Sequence, residues 1–151
     1  MLKLFKHIRL VAVVSMMLFA LSSHAQTVSL TVISNPDGAP AQLKKSELKT
    51  IFRGEKERWA NGSRIKIALM KPNTPSGKNI CKKVFDSNAD DFAQYWEQQA
   101  FAGKVERPVY FKNAAELQAY VAENSGAIGI IDQPMTGTNV QVVAVDGKKN
   151  F

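Results

Sequence analysis

The residues best suited to chemistry lie in one short stretch, Lys71-Pro72-Asn73-Thr74-Pro75-Ser76-Gly77-Lys78-Asn79. A hydroxyl, a glycine and two lysines at the start of a helix offer an oxyanion hydrogen-bond donors, open backbone N–H groups, the positive end of the helix dipole and a nearby ammonium. The candidate donors are the Ser76 hydroxyl and the N–H groups of Gly77, Lys78 and Asn79, with Lys78 or Lys71 supplying charge. Ser34 and Asn35, at the end of an earlier strand, are expected to reach the same point. A plainer account competes with this one. Serine before a helix is an ordinary N-cap, and proline with glycine is ordinary loop chemistry.

Other chemistries are disfavoured by residue type. A nucleotide-binding P-loop would need glycine where Pro72 stands and Ser or Thr where Asn79 stands. The histidines are His7 and His24, both in an N-terminal leader, so the rest of the chain has no imidazole for a Ser-His or Cys-His nucleophile or for the usual zinc sets. Glu55/Glu57 fall in a connection and Asp90/Asp91 in a first helical turn, where solvation and the helix dipole account for them better than acid–base catalysis. The expectation is therefore a non-enzyme with no catalytic residue, metal or cofactor. Cys81 is the single cysteine, which rules out an intramolecular disulfide, and its place beside Ile80 and Val84 on an apolar helical stripe predicts burial.

The elements that must position the stretch follow from periodicity. Ile65, Ile67 and Leu69 alternate with polar or small residues as in a strand, and Ile80, Cys81, Val84 and Phe85 recur at helical spacing from a start near Gly77. Thr27–Ile33 reads as an earlier strand, followed by a helix carrying Leu48, Ile51 and Phe52, with Ser46 as N-cap and Gly54 past its end. Trp59 is expected to tuck against the core, and Asn61-Gly62 to turn the chain into the next strand. Two more helices carry Phe92, Tyr95 and Trp96, then Leu117, Tyr120 and Val121; capping boxes at Ser87/Asp90 and Asn113/Glu116 open them. Ala127–Ile131 is a nearly all-apolar strand of the kind buried on both faces, and Val140–Val145 is the last. This alternation predicts an α/β fold: an open, parallel or mixed sheet with helices on both faces.

Lys3, Lys6 and Arg9, the apolar run Leu10–Leu21 and the small-residue end Ser23-His24-Ala25 together read as a cleaved secretory signal peptide over residues 1–25. A single domain over 26–151, in the periplasm, is the expectation. The leader holds three cations and no acid, so the net charge of +7 falls to +4 without it. That excess is spread along the chain with no aromatic-interleaved basic stripe, so no nucleic-acid partner is expected.

The order Leu48-x-x-Ile51-Phe52-x-Gly54, Trp59, Asn61-Gly62, Ser76-Gly77, Phe92-x-x-x-Trp96, Phe101-x-Gly103, Pro108 and Gly126-Ala127-Ile128-Gly129 resembles one lobe of the phosphate-binding proteins that serve ABC transporters. The resemblance implies one lobe of a type 2 periplasmic binding-protein fold, with phosphate held by a Ser-Gly-Thr turn at a helix N-terminus. Ser76 and Gly77 match that turn, while Lys78 stands in place of threonine. The family loop also carries an acid ahead of the serine, where this chain has the neutral Asn73 and Thr74. Family members close two lobes over the ligand; this chain is long enough for one. A one-sided site implies weak binding of phosphate or a similar oxyanion, unless a homodimer or a periplasmic or membrane partner supplies the other wall. Two functions stand side by side: an exported oxyanion-binding module, and a ligand-free lobe retained as a docking scaffold.

Overall fold

The computed structural model describes residues 29–103 and 105–151. The leader expected over 1–25, and the strand start expected at Thr27 and Val28, lie outside those residues. The strands are β1 (Thr31–Ser34), β2 (Gln42–Leu43), β3 (Lys66–Met70), β4 (Val109–Phe111), β5 (Ala127–Ile131) and β6 (Gln141–Val145). The helices are α1 (Lys45–Phe52), α2 (Pro75–Phe85), α3 (Ala89–Phe101) and α4 (Ala114–Glu123).

All six strands join one mixed sheet in the order β2-β6-β1-β5-β3-β4. β4 and β5 both pair parallel with β3, and β2 pairs parallel with β6. β1 runs antiparallel to its neighbours β5 and β6. The other strands therefore all end at one edge of the sheet, the carboxyl edge, and β1 alone starts there.

Every residue of β5 is buried, which requires cover on both faces of the sheet. α4 provides it on one face, so close that a Cβ added to Gly129 would sit 2.6 Å from a Leu117 methyl. The alternate residues of β3 and β5 face the layer that α2 contributes. α1 and α3 extend that layer: Phe52 of α1 lies 6.0 Å from Phe85 of α2, which stacks at 4.5 Å on Phe92 of α3. Trp96, 3% exposed, fills the space beside Gly54, whose φ of +73° ends α1 in the left-handed conformation that glycine adopts without strain.

Several local expectations shift by a residue or two. α1 is capped at Lys44, whose N–H donates to Glu47 Oε2 at 3.0 Å, rather than at Ser46. α3 is capped by Asn88, which accepts from the Asp91 N–H at 2.8 Å, rather than by the Ser87/Asp90 pair. The Asn113 cap of α4 is as expected, accepting from Glu116 N–H at 2.9 Å. Trp59 is buried and its indole N–H donates to the Gly126 carbonyl at 2.9 Å, stapling the Asn61-Gly62 turn to the start of β5. Cys81 is buried as the helical stripe predicts, and burial pushes its thiol up to about 11. Among the described residues, no helix is long and apolar enough to cross a membrane.

Candidate functional site

Strand β3 ends at Met70, and the Lys71 N–H donates to the Phe111 carbonyl at 2.9 Å, so the chain leaves the sheet beside the end of β4. It then turns once. The Thr74 N–H and hydroxyl both donate to the Lys71 carbonyl, at 2.9 and 2.7 Å, and the Thr74 hydroxyl oxygen accepts from the Gly77 N–H at 3.0 Å. Thr74 is thus the N-cap of α2, in place of the expected Ser76.

The helix begins at Pro75, earlier than the start near Gly77 that its apolar stripe suggested. Proline suits this first position, since its fixed φ matches the helix and its missing N–H costs no bond there. Gly77 lies inside the first turn, where a Cβ would collide with the Lys71 carbonyl. Its glycine is required by close approach of helix and loop.

This capping alters the donor set. The Gly77 N–H is taken by the Thr74 hydroxyl and the Lys78 N–H by the Thr74 carbonyl at 2.9 Å, while Asn79 lies deeper in the helix. The Ser76 N–H is the first-turn donor that the cap does not use. Lys78 turns away from Ser76 and lines, with Asn73, Lys82 and Asp86, a groove of about 790 Å3 between α2 and the start of α3.

The expected contribution of Ser34 and Asn35 is not found. Because β1 is antiparallel to β5, its carboxyl end lies at the edge of the sheet opposite the start of α2. There Ser34 is fully buried and its hydroxyl oxygen accepts from Gln141 Nε2 at 3.0 Å. Asn35 donates through Nδ2 to the carbonyls of Val121 and Ala122, both at 3.0 Å, and so ties the end of α4 to the sheet.

A different residue takes their place. The Ser76 hydroxyl donates to Asp132 Oδ1 at 2.7 Å, and Asp132 is the first residue after β5. A carboxylate from the end of the neighbouring parallel strand thus stands beside the first turn of α2. Its backbone is held by buried β5 on one side. On the other, the buried Gln118 of α4 accepts through Oε1 from the N–H groups of Thr136 and Gly137, at 2.8 and 3.1 Å, and fastens the following loop. The sequence signal for Asp132 is an acid directly after an all-apolar strand. In open α/β sheets such strand ends are where ligand groups gather.

No family model matches the chain, and no curated protein matches it. Solved structures do. PstS from Borrelia burgdorferi superposes with a TM-score of 0.60 at 14% identity, over 80% of this chain and 48% of that one. A phosphate ABC transporter substrate-binding protein with bound phosphate, from Clostridium perfringens, superposes with a TM-score of 0.55 at 18% identity, over 80% of this chain and 46% of that one. The likeness shows a shared fold. The chain spans about half the length of the structures it matches.

Proposed function

We propose that this protein binds phosphate, or a related oxyanion that carries a proton, as a single substrate-binding lobe exported to the periplasm. The observation that carries the proposal is the Ser76–Asp132 pair at 2.7 Å, set at the first turn of α2 on the carboxyl edge of the sheet. Ser76 offers a donor through its hydroxyl and another through its N–H, and the helix dipole favours a negative charge at that point. Asp132 offers only acceptors when ionised. A ligand seated against both must donate as well as accept, which hydrogen phosphate does and sulfate does not.

Lys71, directly after β3, supplies charge at the same edge of the sheet, and Lys78, on the groove between α2 and α3, adds to it by screened attraction. The site is open on one side, so binding is weak unless a second copy or a periplasmic partner closes it. The neighbouring structures are transport binding proteins, and the binding reading needs no catalytic step.

One observation favours the docking-scaffold reading: the Thr74 cap already uses the N–H groups of Gly77 and Lys78. Calorimetry of the purified protein with phosphate and with sulfate decides between the two. Heat with phosphate and none with sulfate is the expected result. Equal binding of the two anions would overturn the role of Asp132, and no binding of either would leave the scaffold.

A further inference from the structure

We propose that the carboxyl edge takes a linear polyphosphate, with one end at the Ser76–Asp132 pair and the rest of the chain along the lysines that follow the other strands. The proposal rests on the oxyanion reading of that pair and extends it to a ligand class. Exposed Lys44 follows β2, exposed Lys148 and Lys149 follow β6, half-buried Lys71 follows β3 and exposed Lys112 follows β4. The strand order therefore sets these ammonium groups in a row on both sides of Asp132, at the end of β5. With neighbouring strands about 4.8 Å apart, the row is roughly 25 Å long.

Among the described residues, the ion pairs Lys49–Asp86 and Arg64–Glu106 use none of these lysines. At the opposite edge Arg64 pairs with Glu106 at 3.3 Å, Arg58 donates to the Gly62 carbonyl at 2.8 Å, and Lys56 lies over the Trp59 ring at 5.9 Å.

A lone phosphate on this open edge meets one wall. A polymer of phosphates meets several lysines at once, and each further contact forms at the high effective concentration set by the first. Asp132 gives the arrangement polarity. Only a terminal phosphoryl group carries a P–OH that can donate a hydrogen bond to Asp132, so the end of the polymer sits there with Lys71 and Lys112 on one flank. The body runs across the starts of β1 and the tail to Lys148, Lys149 and Lys44.

The test is calorimetry of the purified full chain with orthophosphate, tripolyphosphate and a medium-chain polyphosphate at low and moderate salt. Affinity is expected to rise with chain length, by about tenfold or more from orthophosphate to the polymer, and to fall steeply with salt. Combined Lys44→Gln, Lys148→Gln and Lys149→Gln should return polymer affinity to the orthophosphate level. Lys56→Gln with Arg58→Gln, at the opposite edge, should leave it unchanged. Polymer binding no tighter than orthophosphate, equal loss in both variants, or equally tight binding of single-stranded DNA would each overturn the proposal. If orthophosphate gives no heat while polymer binding persists and needs the three lysines, the single-phosphate reading fails and this one stands.

Discussion

Asp132 accepts a hydrogen bond from the Ser76 hydroxyl although the two are far apart in sequence, and the selectivity proposed for the site rests on this contact. Replacing the carboxylate by an amide of the same shape makes one oxygen a donor. Asp132→Asn should therefore weaken phosphate and admit sulfate, so that calorimetry finds the ratio of their affinities falling toward one. Ser76→Ala should cost on the order of 1.5–3 kcal/mol of binding, about one to two decades in affinity. The value should fall at the low end, because the free protein already satisfies that hydroxyl through Asp132. Cys81 shows a second residue-scale effect. Burial pushes its thiol from the ordinary 9.0 up to about 11 and the Tyr110 hydroxyl up to about 12, so both stay neutral in the fold at a pH where the unfolded chain ionises them. Their stabilisation is full below about pH 9 and is lost as pH rises through the folded values. Thermal melts should show stability declining from pH 9 upward, with Cys81→Ala flattening the lower part of that decline. Thiol labelling of the native protein should be slow, and fast labelling would contradict the buried placement. Burial of Cys81 was legible from its neighbours at helical spacing. Asp132 was not, because its position depends on β5 lying parallel beside β3, a long-range pairing that no local pattern encodes.

At the scale of elements, α2 is held by a cap that competes with the proposed ligand. Thr74→Ala removes the acceptor for the Gly77 N–H and should cost about 1 kcal/mol of stability. The same change frees that N–H to point at the carboxyl edge, so phosphate should raise the melting temperature more in the variant than in the parent. Equal shifts in both would mean that the anion does not reach the helix start. Gly77→Ala should be worse, by about 1–3 kcal/mol, since its Cβ would collide with the Lys71 carbonyl and push the first turn off the loop. The long amphipathic elements were readable from the sequence because their stripes meet a continuous core. β2 and β4 were not, being short edge strands that consist of Gln42–Leu43 and Val109–Phe111. Two or three residues carry no alternation, and pairing with β6 and β3 alone makes them strands. The direction of β1 was equally hidden. A strand pattern is the same read either way, so Ser34 and Asn35 were expected at the edge they in fact oppose.

For the whole molecule, the same antiparallel strand fixes where the chain enters the fold. Leu30 is tied by its N–H and its carbonyl to Phe151, at 2.8 and 3.1 Å, and the Thr31 hydroxyl donates to Asn150 Oδ1 at 2.8 Å. Whatever precedes Ser29 therefore joins the domain at the carboxyl edge, on the same side as Ser76 and Asp132. The order of basic start, apolar run and Ser23-His24-Ala25 calls for cleavage between Ala25 and Gln26. That bond lies ahead of Leu30, the first residue tied by these tail contacts. Intact-mass measurement on protein from the periplasmic fraction should give the mass of Gln26–Phe151. A mass that retains Met1–Ala25 would overturn the cleavage. The carboxyl edge would then be tethered close to a membrane surface, where anionic lipid headgroups repel phosphate and attract lysines instead. In that case the affinity for phosphate measured in solution would overstate what the tethered protein achieves.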